Sequence, residues 1–586
     1  MGFEIENGIL KRYYEEDGIT DITVPYNVTE ISVCVFYGCT FLTNIILPNG
    51  LTKIDDYAFW DCTSLISITL PNSLIKIGES VFKNCTALSS ITLPNNLISL
   101  GNWVFEDCSS LKNIVLPNSL TEIGHEAFID CTALESITLS ANLTKMGYST
   151  FKGCKSLTKI TLNNSLIEID LRTFEGCTSL KNIILPESLT KIGSYAFYGC
   201  TALESIILPN KLMKIGHFAF SGCTSLKSIT LPHSLTEIYD NTFLGCTALK
   251  HITMPTNLER IWNSAFSGCT SLKNITLPNN LTYISNEVFR NCTSLENITL
   301  PANLTGIWNS AFSGCTSLKS IILPNTLTGI GEEAFWGCIV LENITLPNIL
   351  MKIGKNAFEG TRWLKNYPND FVIGGNHILI KYKGHQTDVI VPDEVTIIGS
   401  GAFEGHTFLT TIILPDSLTE IGYEAFKDCN SLTNITLPTK LTKIDKNVFN
   451  GCTMLKSVVF MPFSINIRDY LTDDTFDYTK FKSILSTKEY ATKFSHEIKY
   501  DAVTQIFLNT AQSEAQAYIK KNFSKIIRYW IDKNDYQKVK GLVQSGAFIT
   551  KRNIGGIIEY AIENTQKGGN MEIQVMLMNY KNEKFG

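Results

Sequence analysis

Apolar residues recur along most of this chain at fixed positions of a 23-residue unit, which repeats from near the N-terminus to about Phe463. A clear copy is LTKIGSYAFYGCTALESIILPNK at residues 189–211, and we number its positions from Leu189 as position one. The clearest marker is a cysteine that recurs at every unit from Cys39 to Cys338. A fixed period of this length predicts a solenoid, in which each repeat packs only on its neighbours.

The apolar positions of one unit assign roles to its parts. Ile183 and Leu185 are two residues apart, so they face the same side of a predicted strand. Pro186 cannot donate a hydrogen bond to a neighbouring strand, and it is expected to end the strand. Phe197 and Cys200 belong to a predicted turn or helical bend, and both are expected to point inward. Each coil therefore contributes apolar side chains to one continuous core.

These motifs resemble the BspA-type leucine-rich repeat, found in cell-surface and secreted proteins of bacteria and in some parasitic protists. Leu180, Ile183 and Leu185 match its L-x-x-L-x-L strand, and the resemblance covers roughly residues 1–463. It implies an α+β repeat protein, namely a right-handed leucine-rich-repeat solenoid with parallel strands, and a binding or adhesive role.

The solenoid is predicted to have two segments with their own caps. Strand-like alternation in residues 1–25 returns in residues 362–392, so we interpret the second stretch as an inserted cap-like hairpin. Terminal repeats need caps because an open coil exposes its core and its strand edge. The predicted solenoid segments are therefore residues 26–361 and 393–463, followed by a helical domain over residues 464–586.

Helical spacing of apolar residues replaces the 23-residue period in this last domain. Asp535 and Thr550 stand where helix N-caps belong, and Gly546 stands where a helix should end. Residues 535–547 are similar to the outer helix and turn of an ankyrin repeat, and a second such helix is predicted to begin at Asn570.

Composition and charge exclude several classes of protein. The net charge of −5 argues against a dedicated nucleic-acid surface, which would be basic. No apolar run approaches the ~20 residues that span a bilayer. The N-terminus lacks the pattern of a signal peptide, which favours a cytoplasmic protein if the sequence is complete. The family resemblance instead implies a secreted or surface protein, so both locations stay open.

The cysteines are interpreted as reduced and buried. Successive coils are expected to lie about 4.8 Å apart, whereas a disulfide needs Cβ atoms at roughly 3.8 Å. Thr361 and His406 also occupy the cysteine position, so no bridge is obligatory there. We expect the thiols to act as small hydrophobes. The absence of a local C-x-x-C pair argues against zinc.

No catalytic or cofactor motif is present, so we expect a non-enzymatic protein without a cofactor or metal. The outward residues of the strands are mostly Thr, Ser and Asn, which predicts a flat, polar sheet. Such a surface suits a protein or glycan ligand on the solenoid. The sequence makes no prediction about the oligomeric state.

One departure from the repeat is a candidate binding site. Position five is nearly always Gly, Asp or Ser, but aromatic residues occupy it in three of four consecutive coils. Aromatic residues and Arg are preferred anchors of binding hot spots. The alternative is that these rings fill grooves between coils. The candidate residues are Tyr239, Arg260, Trp262, Tyr283 and Trp308.

Two functions follow from these observations. The first is a protein-interaction scaffold with an adhesin-like or host- or cell-surface-binding role. The second is an intracellular bacterial scaffold whose helical C-terminal domain recruits a protein partner.

Overall fold

The computed structural model of the protein describes residues 2–14, 18–460, 465–466 and 496–586. The chain divides into two compact units, Met1–Tyr367 and Pro368–Gly586. Both contain parallel β-solenoid, and the second also contains the C-terminal helices. The predicted solenoid with a helical C-terminal region is therefore confirmed. The finer domain limits stay a prediction.

Each coil of the solenoid contributes two short strands that pair in parallel with the same positions of the next coil. Ile275 pairs with Ile298 in this way, and Ile284 pairs with Ile307. The strands of the first ladder begin at position 17 and end at or before position 20, ahead of the proline position. Ser205 joins this ladder by a single bridge to Ser228. In the first unit the first ladder consists of Asp21–Thr23, Asn44–Ile46, Ser67–Thr69, Ser90–Thr92, Asn113–Val115, Ser136–Thr138, Lys159–Thr161, Asn182–Ile184, Ser228–Thr230, His251–Thr253, Asn274–Thr276, Asn297–Thr299, Ser320–Ile321 and Asn343–Ile344. In the second unit the corresponding ladder consists of Asp388–Ile390, Thr411–Ile413, Asn434–Leu437 and Ser457–Phe460, with Ile465–Asn466 antiparallel to the last.

The second ladder lies at positions three and four, where a charged or polar residue precedes a buried apolar one. Lys53 lies on Glu30 at 3.0 Å, and Lys191 lies on Glu168 at 2.9 Å, so opposite charges meet between coils. In the first unit the second ladder consists of Glu30–Ile31, Lys53–Ile54, Lys76–Ile77, Ser99–Leu100, Glu122–Ile123, Lys145–Met146, Glu168–Ile169, Lys191–Ile192, Lys214–Ile215, Glu237–Ile238, Arg260–Ile261, Tyr283–Ile284, Gly306–Ile307, Gly329–Ile330 and Lys352–Ile353. In the second unit the corresponding ladder consists of Ile397–Ile398, Glu420–Ile421 and Lys443–Ile444.

Antiparallel hairpins precede each run of coils. The first joins Gly2–Glu6 to Ile9–Tyr14, and the second joins Phe371–Gly374 to Ile378–Tyr382. Both hairpins contain a shift of register after their third or second residue pair. The second strand of each pairs in parallel with the first two-residue strand of its solenoid segment. The hairpins thus share one construction, as their sequences indicate.

A stack of phenylalanine rings forms the centre of the core. In the first unit the rings at position nine stack from Phe36 to Phe358, with neighbouring centroids 5.0–5.7 Å apart. Tyr13 covers the first ring at 5.2 Å, and Trp363 covers the last at 4.9 Å. Within the stack, each ring contacts only the rings of adjacent coils. The packing of every ring therefore depends on its neighbours.

The buried cysteines do more than fill space. Cys200 is fully buried, as predicted, and its Sγ donates a hydrogen bond to the Phe174 carbonyl of the preceding coil at 3.1 Å. The same bond recurs along the ladder. The prediction of buried, unbridged thiols is confirmed, and these thiols also donate hydrogen bonds to the preceding coil. The other residues at this position also reach a Phe carbonyl, Thr361 donating to Phe358 and His406 Nδ1 lying 3.0 Å from Phe403.

The strand surface is less polar than the sequence predicts. At position 19 several coils carry isoleucine in place of threonine, and Ile207 and Ile322 are 85% and 88% exposed. Successive side chains of an extended chain point to opposite faces, and positions 18 and 20 point inward. Position 19 therefore points outward whatever its side chain.

The C-terminal region of the second unit is helical. Asp535 caps the N-terminus of its helix by accepting from the Lys538 N–H, and Gly546 follows the helix end with φ of 67°, as predicted. Thr550 and Asn553 exchange hydrogen bonds before the next helix. The helices are α1 (Arg362–Lys365, in the first unit), α2 (His496–Thr510), α3 (Ser513–Asp532), α4 (Tyr536–Gln544), α5 (Ile554–Gln566) and α6 (Met571–Phe585). Among the described residues, none of these is long and apolar enough to cross a membrane.

Replacing one ring of the phenylalanine stack should destabilise the solenoid locally. Phe197→Ala is expected to cost about 3–5 kcal/mol, because it removes a fully buried ring and leaves a cavity. Circular dichroism in increasing denaturant should then show two transitions, since the two parts of the stack lose their coupling. Phe218→Ala, which removes a half-buried ring outside the stack, is the matched control. A single unshifted transition for Phe197→Ala would contradict this account.

The ladder thiols should be inert in the native protein. Burial raises the pKa of the Cys200 thiol well above its usual value, and only the thiolate is nucleophilic. A thiol reagent at neutral pH should label Cys34, the exposed cysteine, and should label all seventeen only after denaturation. Mass spectrometry of protein never exposed to reductant should show no Cys200–Cys223 bridge.

Candidate binding surface

Position five lies where the backbones of successive coils approach most closely. A Cβ atom on Gly216 would lie 2.5 Å from the Ser194 nitrogen of the preceding coil. A Cβ atom on Gly331 would lie 2.5 Å from the Asn309 nitrogen. Both distances are shorter than carbon–nitrogen contact allows, so glycine is required in these two coils.

The four coils between these glycines accommodate side chains at the same position. Trp262 and Trp308 retain the backbone hydrogen bond to the preceding coil, donating to Ile238 and Ile284 at 2.9 Å. The Ser285 hydroxyl donates to the Ile261 carbonyl at 2.7 Å. The backbone bond to the preceding coil is thus preserved at Trp262 and Trp308, and at Ser285 the side-chain hydroxyl donates to the preceding coil. We call this surface the aromatic corner; it consists of Tyr239, Trp262, Ser285 and Trp308.

The two tryptophans of the aromatic corner have different environments. Trp308 is 52% exposed. Trp262 is half-buried, and its Nε1 is buried without a hydrogen-bond partner among the residues that the structure describes. The Arg260 guanidinium lies 5.8 Å from the Trp262 ring and 3.3 Å from Glu237. Trp262 therefore packs between coils, whereas Trp308 is available to a ligand.

Trp308 and Tyr283 form an aromatic pair on the surface. Their ring centroids are 5.9 Å apart, and Tyr283 is half-buried. Gly306 lies beneath the indole, since a Cβ atom there would be 3.2 Å from Trp308 Nε1. The pair forms an apolar platform at position three, where most coils carry a charged side chain.

A ladder of amide side chains adjoins the aromatic corner at position six. Asn263 accepts from both the backbone and the side chain of Asn286 at 3.2 Å. Asn286 in turn accepts from the backbone N–H of Asn309, which accepts from the N–H of Glu332. The ladder supplies the backbone amides of these coils with acceptors and fixes the orientation of its own amide groups.

A second group of aromatic residues, which sequence reasoning missed, lies on neighbouring coils. Tyr195 stacks on Phe218 at 4.7 Å, and Arg172 lies 5.1 Å from the Tyr195 ring. His217 packs on Tyr239 at 5.0 Å. The signal was available, because Tyr195 and Phe218 are bulky residues at position seven, which has a positive φ of 57–58° in these coils. Bulky side chains are rare in that conformation.

Polar contacts surround Tyr239. Burial, followed by a hydrogen bond with Glu237, raises the pKa of Tyr239, and Lys214 Nζ lies 5.2 Å from its ring. His217 Nδ1 lies 3.0 Å from Asp240. Within residues 2–14, 18–460 and 496–586, no group of His, Cys, Asp and Glu side chains could hold a metal ion.

The close approach at position five can be tested with two glycines of one coil. Gly331→Ala should destabilise the protein by about 1–3 kcal/mol, because the methyl group meets the Asn309 backbone. Gly329→Ala is the matched control, since no atom lies within 4 Å of its added Cβ. Denaturant midpoints measure the difference. Equal stability of the two variants would mean that coil spacing does not require glycine at position five.

The chain matches the family model of the BspA type leucine-rich repeat region over residues 7–135, 104–203, 190–319, 236–365 and 380–498. No curated protein matches it.

Solved structures of bacterial repeat proteins are similar to this chain. A leucine-rich repeat protein from Bacteroides ovatus is 32% identical with a TM-score of 0.52, and the match covers 63% of this chain and 94% of that protein. A leucine rich cell surface protein from Faecalibacterium prausnitzii is 27% identical with a TM-score of 0.36, over 60% of this chain and 87% of that protein. The repeat length, the cysteine and phenylalanine positions and the family match agree, and the chain belongs to the BspA-type leucine-rich repeat family.

Proposed function

We propose that this protein is a non-enzymatic interaction scaffold that binds a macromolecular ligand at the aromatic corner, in an adhesin-like role. The observation that carries the proposal is that aromatic residues replace the usual small residue at position five in three of four consecutive coils. The Leu, Ile, Phe and Cys core positions one, four, nine and twelve of these coils keep their usual residues.

The exposed part of the corner favours binding. Trp308 is half-exposed beside Tyr283, and a large aromatic side chain at an exposed position carries an energetic cost in water. Aromatic anchors of this kind supply most of the affinity of an interface when a partner covers them. Membership of the BspA-type family supports an adhesive role, because that is what the resemblance implies.

The helical region supports a second candidate, recruitment of a protein partner. Met571, Val575 and Met578 lie on one side of α6 and are 64%, 47% and 41% exposed. Their spacing matches that of anchor residues on helices that bind in grooves.

Single substitutions in the full chain separate the two candidates. Trp308→Ser should weaken binding of the labelled protein to cell surfaces by roughly tenfold or more, with an unchanged melting temperature. Flow cytometry and a thermal melt measure the two effects. Trp262→Ser should lower the melting temperature, because that ring packs between coils.

The double variant Met571→Ser/Met578→Ser is the control for the helical region. Binding lost in this variant and retained in Trp308→Ser would favour recruitment by the helices over binding at the aromatic corner. If Trp308→Ser instead loses several kcal/mol of stability, its ring packs and the aromatic corner is not a binding site.

A further inference from the structure

We propose that the surface formed by Tyr283, Gly306 and Trp308 binds an uncharged glycan chain. This inference rests on the proposed function and specifies the chemical class of the ligand. A sugar ring has an apolar face of C–H groups and a polar edge of hydroxyl groups. A site for it needs an aromatic surface for the face and fixed hydrogen-bonding groups for the edge.

The aromatic pair supplies the surface for the apolar face. Trp308 presents half of its area to solvent, and Tyr283 lies 5.9 Å away with its ring tilted by 50°. Gly306 lacks a side chain beneath the indole, which lets the ring lie against the coil. The platform therefore spans two adjacent coils, or about 5 Å along the stack.

The same surface lacks charge. At position three the other coils of this unit carry mostly Lys and Glu, which pair between coils, but here the series continues as Tyr283, Gly306 and Gly329. Residues 281–286 and 304–310 contain no charged side chain. The nearby carboxylate of Glu287 is paired with Arg290 at 3.2 Å. The exposed carboxylate of Glu332 adjoins the surface on the next coil, but residues 281–286 and 304–310 offer no counter-charge to an ionic ligand, and an uncharged ligand needs none.

The amide ladder supplies donors for hydroxyl groups. An asparagine amide has two N–H donors, and Asn286 uses one of them on Asn263 at 3.2 Å. Asn309 is exposed, and its Oδ1 is held by the Glu332 N–H at 2.9 Å, which fixes the side chain. These amides lie one residue from Ser285 and Trp308, so one ligand can meet both the ring and the amides.

The backbone of the corner offers little to an extended peptide. The N–H groups of Trp262 and Trp308 already donate to the preceding coil, and Ile284 pairs with Ile307 within the ladder. A peptide that adds to a sheet needs unpaired backbone groups at an edge. The glycan is therefore favoured over a peptide strand at this surface.

The test is titration of the full chain with neutral hexasaccharides of different linkage: cellohexaose, laminarihexaose, xylohexaose and maltohexaose. We expect at least one of them to change the tryptophan fluorescence with a saturable response that high NaCl leaves unchanged. Trp308→Ser should raise the dissociation constant about tenfold, the loss expected for one stacking contact. Asn309→Asp, which keeps the acceptor for Glu332 and removes the donor, should also weaken binding.

Trp336→Ser is the matched control, since Trp336 is 49% exposed outside this surface. Binding reduced equally in Trp336→Ser and Trp308→Ser would overturn the inference, as would failure of all four hexasaccharides. If these fail while cell binding still depends on Trp308 and is abolished by protease treatment of the cells, the ligand is a protein. In that case the glycan inference is wrong and the proposed function stands. If no hexasaccharide binds and cell binding does not depend on Trp308, the proposed function is rejected as well.

Discussion

The structure depends on the requirement that each coil repeat the backbone path of the one before it. Hydrogen bonds hold this repetition at both strand ladders and through the turns, where the Phe197 N–H donates to the Ala219 carbonyl of the next coil. The Phe197 ring stacks on Phe220, and the Cys223 thiol donates to the Phe197 carbonyl. Because the same residue types meet at every interface, one unit that satisfies these contacts can be repeated many times.

Repetition also constrains the surface, because side chains at equivalent positions of successive coils meet there. At position three Lys191 lies on Glu168, so opposite charges attract there, but Lys191 also pairs in register with Lys214, and Lys53 with Lys76. Asparagine can repeat without penalty, because its amide both donates and accepts, as Asn263 and Asn286 show. The surface of a coil is therefore constrained by its neighbours nearly as much as its core is.

Ends and interruptions of the stack are where the sequence departs from the unit. Tyr13 and Tyr382 occupy matching places, because each pairs with a phenylalanine across its antiparallel hairpin and covers the first phenylalanine of its run. Such a ring removes an apolar face from water, and the hairpin pairs with the first short strand of the segment that follows. The aromatic corner is different, because the coils on both sides of it continue the regular stack. It therefore serves neither as a cap nor as an interruption.

The sequence by itself determined the repeat, the inward positions of Phe197 and Cys200 and the end of each strand before Pro186, because a strict period leaves one arrangement that buries every apolar position. It also identified Trp308 as an exception. Only the tertiary structure decided that the Cys200 thiol bonds to a carbonyl, and that Trp262 packs while Trp308 is exposed. These outcomes depend on contacts between residues one coil apart, and a pattern of residue types along the chain does not specify which way each side chain turns at that interface.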